Sequence, residues 1–246
     1  MTTGLRSACQ MATKMKTTTQ TFLATTAVAL VILTPCPASP LTNGGITNSL
    51  TRYNSSTSNP YTGSFLAGST AQVTNGLWSG VLKSAVFRSA AGTLDFLYQV
   101  SENANSGAAI TKLIDSTFNG YLTDVGCICY DFDGAGSSSV NFMAAQGNKT
   151  PLTVMRAADG STLTYDFGSA NAINGSYSSQ ILVVRTNAVH YATGQTQIFD
   201  NAYSTDPFFA SLQPYGSGVP EPGTFLCIGL GLLVVSFIRR TRPTIS

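Results

Sequence analysis

The chain has few charged residues, one histidine and few cysteines. Asp, Glu, Lys and Arg together make up 10% of its 246 residues, and His190 is the single histidine. Of the five cysteines, only Cys127 and Cys129 lie in the central part of the chain, residues 40–217. Two cysteines do not make a disulfide framework, so we expect a hydrophobic core to hold this part together.

The charges that are present are segregated along the chain. The formal net charge is +2, but between residues 41 and 218 there are seven basic and ten acidic residues, a net charge of −3. The remaining basic residues lie near the two ends: Arg6, Lys14, Lys16, Arg239, Arg240 and Arg242. The central part has no basic patch with interleaved aromatic residues, and we therefore expect no nucleic-acid partner.

The usual sequence signatures of catalysis are also missing. No Gly-x-Ser-x-Gly stretch occurs, so a serine-hydrolase triad lacks its local motif. A glycosidase needs two carboxylates across a cleft, and the sequence singles out no such pair among its acids. We interpret His190 as an ordinary loop or strand-edge residue. We expect a protein that is not an enzyme and has no cofactor, with a secreted hydrolase as the less favoured alternative.

Residues 1–39 have the organisation of a secretory signal peptide. Basic residues come first, residues 22–33 form an apolar run of 12 residues, and Ala38 and Ser39 supply small residues for cleavage. An N-terminal membrane anchor is the alternative, but the run is short for a membrane span. We expect export across the inner membrane and removal of the segment by signal peptidase.

The central part has the pattern of a β-protein. It is rich in Ser, Thr, Asn and Gly and poor in Lys and Glu, which disfavours long surface helices. In residues 93–101, every second residue from Leu94 to Val100 is apolar, which predicts a half-buried strand. The β pattern begins at Phe65, before the first turn, and further strands are predicted at 78–88, 110–118, 121–132, 140–144, 152–156, 162–167, 180–186 and 195–199.

Glycine turns separate several of these predicted strands. The turn dipeptides are Asn75-Gly76, Asn119-Gly120, Asp133-Gly134, Asp159-Gly160 and Asn174-Gly175. The continuous apolar run at 181–184 suits the middle of a sheet. About nine or ten short strands in this arrangement predict an all-β fold, a single β-sandwich or jelly-roll-like domain.

Two short motifs contain residue types that bind metals. Cys127 and Cys129 point to the same side of a strand, because residues i and i+2 share a face. Zinc needs two more ligands, and we interpret the pair as small buried residues.

Asp131 and Asp133 resemble the start of a calcium loop, but no acid follows at the later ligand positions and only distant Asp124 remains to complete it. A turn explains the two aspartates without a metal, so no metal is predicted.

The aromatic residues of the central part indicate an alternative function. A platform of exposed Tyr and Trp side chains can stack sugar rings, although most such residues in a β-protein belong to the core or its rim. The candidates are Tyr53, Tyr61, Trp78, Tyr121, Tyr130, Tyr177, Tyr191, Tyr203 and Tyr215. A carbohydrate-binding module for extracellular polysaccharide is therefore the alternative to a surface or matrix component without a defined ligand.

The last part of the chain has the organisation of a membrane-sorting signal. Its parts are, in order, Val219-Pro220-Glu221-Pro222, an apolar run at 224–238, and the cluster Arg239, Arg240 and Arg242. The 15 residues of the run would span ~22 Å as a helix, which is short for a hydrocarbon core of ~30 Å. We expect a transmembrane helix that anchors the protein temporarily, with the arginines cytoplasmic and the central domain outside.

This order of parts resembles the PEP-CTERM sorting tail of Gram-negative bacteria, which also carries the label of an ice-binding protein C-terminal domain. The resemblance covers residues 218–242. It implies that an exosortase, a membrane cysteine protease, recognises Pro220, Glu221 and Pro222 and cleaves near them. Release to the cell surface or the medium would follow, in bacteria that make extracellular polysaccharide. The ice-binding label concerns the tail and gives no expectation of ice binding.

Two stretches of the central part are similar to uncharacterised PEP-CTERM proteins. They are Gly-Thr-Leu-Asp-Phe-Leu-Tyr-Gln-Val at 92–100 and Arg-Thr-Asn at 185–187. This second resemblance implies no activity. The sequence as a whole predicts an exported cell-surface or extracellular-matrix protein, sorted through an exosortase system.

Overall fold

The computed structural model describes residues 40–54, 60–130, 132, 140–142, 149–200 and 207–216. The chain divides into two compact units, Met1–Pro35 and Cys36–Ser246, and every described residue belongs to the second. The described residues form strands and loops and contain no helix. None of them therefore provides a helix long and apolar enough to cross a membrane. The predicted signal peptide at 1–39 and the sorting tail at 218–242 lie outside the described residues.

Twelve strands form two sheets of six strands each within the described ranges. Sheet A has the order β2 (Thr51–Tyr53), β7 (Thr123–Ile128), β10 (Ile181–Thr186), β5 (Leu94–Glu102), β4 (Ser79–Arg88) and β3 (Ser64–Thr74). Sheet B has the order β1 (Ile46–Thr47), β8 (Thr153–Arg156), β9 (Leu163–Asp166), β6 (Lys112–Asp115), β11 (Tyr191–Phe199) and β12 (Phe208–Pro214). The all-β prediction is confirmed, and the two sheets make a sandwich.

The two sheets enclose one apolar core. Alternate residues of β5 from Leu94 to Val100 point into it, as the period-2 pattern predicts. Buried residues of sheet B face them, among them Leu113, Tyr165 and Ile198. Each such side chain contributes about 1.5–3 kcal/mol relative to an exposed position, so this core supplies the stability that disulfides would give elsewhere.

The prediction that β5 is only half-buried is wrong. Asp95, Leu97 and Gln99, on the face of β5 turned away from sheet B, are at most 2% exposed. The physical reason is that loop residues cover the outer face of sheet A and form a second apolar cluster with it. Its buried members are Tyr53, Tyr61, Ala85, Phe87, Leu97, Ile128, Val140, Phe142, Ile181 and Val183. Sheet A therefore lies between two apolar layers.

The strand predictions are mostly right in position and differ in number and length. The β pattern that begins at Phe65 is the strand Ser64–Thr74, and the structure adds strands at Ile46–Thr47, Thr51–Tyr53 and Phe208–Pro214. The strand predicted at 121–132 ends at Ile128, and that predicted at 140–144 is an isolated bridge between Phe132 and Phe142 in its described part. The turn glycines Gly76, Gly120, Gly160 and Gly175 all have positive φ, as their turns require. Gly134 lies outside the described residues.

The edge strand β12 is fastened to the opposite sheet by hydrogen bonds. The N–H of Leu212 donates to Ser84 Oγ at 3.0 Å, and the hydroxyl of Tyr98 donates to the carbonyl of Leu212 at 2.8 Å. Ser84 and Tyr98 are themselves register partners on β4 and β5. Because an open sheet edge exposes unpaired backbone groups, these contacts close the sandwich on this side.

Candidate functional site

A row of charged residues crosses the outer face of sheet A. Asp95 on β5, Arg185 on β10 and Asp124 on β7 are register partners in three adjacent strands. Arg185 Nε lies 3.7 Å from Asp95 Oδ2, and the same oxygen accepts a hydrogen bond from the Tyr61 hydroxyl at 3.0 Å. The Arg185 guanidinium also lies 5.0 Å from the ring centre of Tyr53.

Burial dominates the electrostatics of this row. It raises the pKa of Asp95 to about 6, against the lowering effect of Arg185 and of the Tyr61 hydrogen bond. Burial likewise raises the pKa of Asp124 to about 6, and Arg185 again lowers it. Arg185 forms an ion pair with Asp95 and interacts electrostatically with Asp124, so one guanidinium offsets the charge of two carboxylates on neighbouring strands. Asp124 is thus a neighbour of Arg185 in the described structure, and Asp131 and Asp133 lie outside the described residues.

The stretches 92–100 and 185–187, which the sequence analysis singled out, meet at this row. Residue 95 of the first stretch pairs with residue 185 of the second. The Thr186 hydroxyl donates to the carbonyl of Leu94 at 2.7 Å, and Asn187 Oδ1 accepts the N–H of Leu122 at 3.0 Å. All of these contacts join strands or turns of the chain itself, so the residues of the two stretches have a structural role in the fold.

A second buried acid lies in the core between the sheets. Asp115 is 0% exposed, and its Oδ1 accepts a hydrogen bond from the Thr196 hydroxyl. Its other oxygen has no hydrogen-bond partner, and burial raises its pKa to about 7, against the effect of Thr196. Its neighbours Thr196 and Ser211 are also 0% exposed. A substrate outside the sandwich does not reach this cluster.

A polar pocket lies where β5 ends, and it holds a third buried acid. The pocket has a cavity volume of about 250 Å³ and is lined by Lys83, Gln99, residues 101–104, Ser176 and Ser178. Glu102 is 3% exposed. Its Oε2 accepts the N–H of Gly175 at 2.8 Å, and its Oε1 has no hydrogen-bond partner. Unlike Asp95 and Asp115, Glu102 belongs to the lining of a pocket.

Burial raises the pKa of Glu102 to about 7, while the Gly175 N–H and the nearby Ser106 hydroxyl lower it. Lys83 lies in the same lining, and burial lowers the pKa of its ammonium group. The ammonium group donates to the carbonyl of Asn141. The pocket therefore brings one acidic and one basic group into a lining that otherwise consists of hydroxyl, amide and alanine side chains.

Cys127 and Cys129 lie on the same side of their strand, as the i, i+2 spacing predicts. Their sulfur atoms are 3.7 Å apart, and both are free thiols. The interpretation of both as buried residues is right for Cys127 and wrong for Cys129, which lies just after the end of β7 and is half-buried. The pKa of Cys127 is raised to about 12, mainly by burial and to a lesser extent by the neighbouring Cys129. Among the residues that the structure describes, no group of three or more His, Cys, Asp or Glu side chains is placed to hold a metal ion.

Four of the nine aromatic residues considered for sugar stacking are core residues. Tyr53, Tyr61, Trp78 and Tyr121 are at most 6% exposed. Those with exposed side chains are Tyr177, Tyr191 and Tyr215, while Tyr130 is half-buried and Tyr203 lies outside the described residues. His190 is exposed in the loop before β11. Sequence reasoning did not single out Glu102, because nothing local distinguishes it from the other acids of the central part.

Comparison with known proteins gives one match, in the C-terminal part of the chain. Residues 218–242 match the family model of the PEP-CTERM protein-sorting motif. This match confirms that the chain carries a PEP-CTERM sorting tail, and the motif implies exosortase-dependent sorting to the cell envelope. No curated protein and no solved structure matches the chain.

Proposed function

We propose that the chain is a non-enzymatic component of the cell surface or extracellular matrix, exported with its signal peptide and released from a temporary anchor by exosortase. The observation that supports this most is the position of the sorting motif. The last strand, β12, ends at Pro214, and the motif begins at residue 218. Cleavage near Pro220, Glu221 and Pro222 therefore removes no strand of the described sandwich, and the released domain keeps its core.

The anchor is proposed from the sequence of the tail. The apolar run at 224–238 is short for a full membrane span, and the arginines after it would remain on the cytoplasmic side. A short span with a cleavage motif just outside the membrane suits a protein that is held only until it is processed. The central domain is then on the outer side, where the exosortase substrate is released.

A non-enzymatic role agrees with where the acids of the sandwich lie. Asp95 and Asp124 are engaged with Arg185, and Asp115 is enclosed in the core. Glu102 is the single carboxylate in the lining of its pocket, whereas a glycosidase needs two carboxylates across the scissile bond. These contacts favour a scaffold with a binding pocket, and extracellular polysaccharide is the partner that the proposed location supplies.

Cell fractionation tests this proposal. The protein is expressed in matched strains with and without exosortase, and as a variant in which Glu221 is replaced by Ala. We expect processed protein at the surface or in the medium of the exosortase strain, and unprocessed protein in the membrane fraction in both other cases. A Tyr215→Ala variant, changed at an exposed residue just before the motif, controls for effects on folding and should be sorted normally. Unprocessed protein in the cytoplasm of every strain would contradict the proposal.

A further inference from the structure

We propose that Cys127 and Cys129 form a site of reversible oxidation, at which a thiol–disulfide oxidoreductase outside the cytoplasm joins their sulfur atoms in a disulfide. The inference rests on the proposed function for its location, because thiols are kept reduced in the cytosol and meet oxidants after export. It adds a modification site and a class of partner to that function.

The two sulfur atoms are already neighbours in the reduced protein. They are 3.7 Å apart, because the side chains of residues i and i+2 share one side of a strand. Both are free thiols. Bond formation between them therefore requires no rearrangement of the sheets, only a closer approach of two side chains that are in contact.

The processed chain would contain no other cysteine. Cys9 and Cys36 belong to the predicted signal peptide, and Cys227 belongs to the apolar run that cleavage at the sorting motif removes. A released domain then has one pair of thiols and no third thiol that competes for either of them. Within such a chain, the disulfide between residues 127 and 129 is the single one that can form.

The two thiols differ in access, and this difference gives each a role. Cys127 is 0% exposed, whereas Cys129 follows the last residue of β7 and is half-buried. An oxidant therefore reacts with Cys129, and Cys127 is the resolving thiol, which has to reach only the sulfur of Cys129. An accessible thiol beside a resolving one is the usual arrangement of redox-active cysteines.

A basic residue lies beside the resolving thiol. Arg52 on β2 is the register partner of Cys127. Burial raises the pKa of Cys127, while the charge of Arg52 and a hydrogen bond from it lower that pKa. Because the thiolate is the nucleophile in disulfide exchange, Arg52 assists the second step of the oxidation.

The oxidation is two successive thiol–disulfide exchanges. The Cys129 thiolate attacks one sulfur of the oxidant's disulfide, which forms a mixed disulfide and releases the first thiolate of the oxidant. The Cys127 thiolate then attacks the Cys129 sulfur, forms the bond between the two cysteines and expels the second thiolate. The two protons of the cysteines end on the two thiolates of the oxidant, which has gained two electrons.

The resulting disulfide should be easy to reduce. Residues i and i+2 of a strand have Cα atoms roughly 6.4–6.8 Å apart, at the upper end of the ~4.4–6.8 Å that disulfides span. Closing the bond therefore strains the chain, and strained disulfides are the labile ones. The movement is available at Cys129, because the register of β7 with β10 ends at Ile128.

Glutathione redox buffers test the chemistry on the exported protein purified from cells and then reduced. N-ethylmaleimide in urea blocks the remaining free thiols, and mass spectrometry measures the products. In excess oxidised glutathione we expect a monomer that has lost two hydrogen atoms and carries no label on either cysteine. Excess reduced glutathione should restore two labelled thiols. Two labelled thiols in every buffer, a lasting glutathione adduct or a disulfide-linked dimer would each overturn the proposal.

Single variants assign the two roles. Cys127→Ser should stop at the glutathione adduct on Cys129, because the resolving thiol is gone. Cys129→Ser should form an adduct at least about tenfold more slowly, because its remaining thiol is buried. Cys127→Ala repeats the first variant without a hydroxyl group in the core, and thermal unfolding in reducing buffer verifies that each variant is folded. Equal adduct rates in the two single variants would contradict the assigned roles.

Labelling of thiols at the moment of cell harvest tests the same event in cells. Protein from the surface fraction should carry no label on Cys127 or Cys129 unless it is first reduced. Correctly sorted protein with both thiols labelled contradicts only the disulfide. Protein that closes the disulfide in glutathione buffers but stays unprocessed in the cytoplasm contradicts only the proposed function.

Discussion

Arg185 on β10 and Asp95 on β5 face each other across paired strands, with 3.7 Å between Nε and Oδ2. Asp95 is 2% exposed, whereas a quarter of the Arg185 side chain remains accessible. The carboxylate also accepts the Tyr61 hydroxyl. A buried carboxylate needs such partners, because removing one of them leaves an uncompensated charge. The hydrogen bond from Tyr61 therefore joins the centre of sheet A to the loop residues that cover it.

Removing the guanidinium should therefore destabilise the fold. We expect Arg185→Ala to lower the free energy of unfolding by about 1–3 kcal/mol, less than for a fully buried pair because Arg185 is partly solvated. Urea titration measures the change, with Arg88→Ala, at an exposed arginine, as the control. The double variant Asp95→Asn with Arg185→Ala should recover part of the loss. Equal stability of Arg185→Ala and the parent protein would contradict this role.

The stability of the sandwich should fall as the pH rises from 5 to 8. Folding raises the pKa of Asp95 and Asp124 from 3.8 to about 6, that of Asp115 from 3.8 to about 7, and that of Glu102 from 4.5 to about 7, chiefly through burial. The folded state then binds more protons than the unfolded state in this window. The contribution of each acid is complete below its unfolded pKa and is lost as the pH passes its folded pKa.

Thermal unfolding at a series of pH values measures this dependence. Each loss of 1 kcal/mol should lower Tm by about 2–4 °C for a chain of this size. The Asp115→Asn variant keeps an acceptor for Thr196 and removes one titrating group, so its Tm should depend less on pH. The pKa of the exposed Asp159 is lowered, and its effect falls at more acidic pH, outside the tested range. A Tm that rises between pH 5 and pH 8 would contradict the prediction.

Gly80 is required for the close pairing of β4 and β5. A Cβ atom at this position would lie 2.0 Å from the carbonyl oxygen of Ser101 on the neighbouring strand. We expect Gly80→Ala to displace the strand and to cost about 1–3 kcal/mol in unfolding free energy, as for other overpacked sites. Gly107→Ala is the matched control, because the nearest atom to its Cβ would be 3.4 Å away. Similar urea midpoints for the two variants would refute this expectation.

Cys127 and Cys129 should differ in reactivity despite their proximity. Cys127 is buried with a pKa raised to about 12, whereas Cys129 is partly accessible. Because the thiolate is the reacting form, iodoacetamide should modify Cys129 much faster than Cys127 in the native protein. Mass spectrometry of peptides after timed alkylation gives the two rates, and alkylation in urea is the control. Equal alkylation rates of the two cysteines in the native protein would contradict this prediction.

The sequence pattern predicts the inner face of the sandwich better than the outer one. Alternation from Leu94 to Val100 and the apolar run at 181–184 identify two central strands of sheet A correctly. The burial of Asp95 and Gln99 is not predictable in this way, because it depends on loop residues far away in the chain that cover the sheet. The pattern does not predict strand β12, because its adjacent phenylalanines, Phe208 and Phe209, break the alternation.

The candidate sites were harder to predict than the strands. The same-side placement of Cys127 and Cys129 follows from local geometry, and it was predicted. Glu102 acquires its properties from its burial and from Gly175, which is distant in the chain and binds one carboxylate oxygen. No short-range pattern carries such information. The sorting motif is the opposite case, since its order of residues is itself the signal that the family model matches.

Processing at the sorting motif is tested most directly by the intact mass of the protein recovered from the surface fraction of cells with exosortase. We predict a mass that corresponds to a C-terminus near Val219 to Pro222, without the apolar run at 224–238. The same protein from cells without exosortase should retain that run. A surface protein whose mass includes residues 224–246 in both strains would contradict exosortase processing and the temporary anchor.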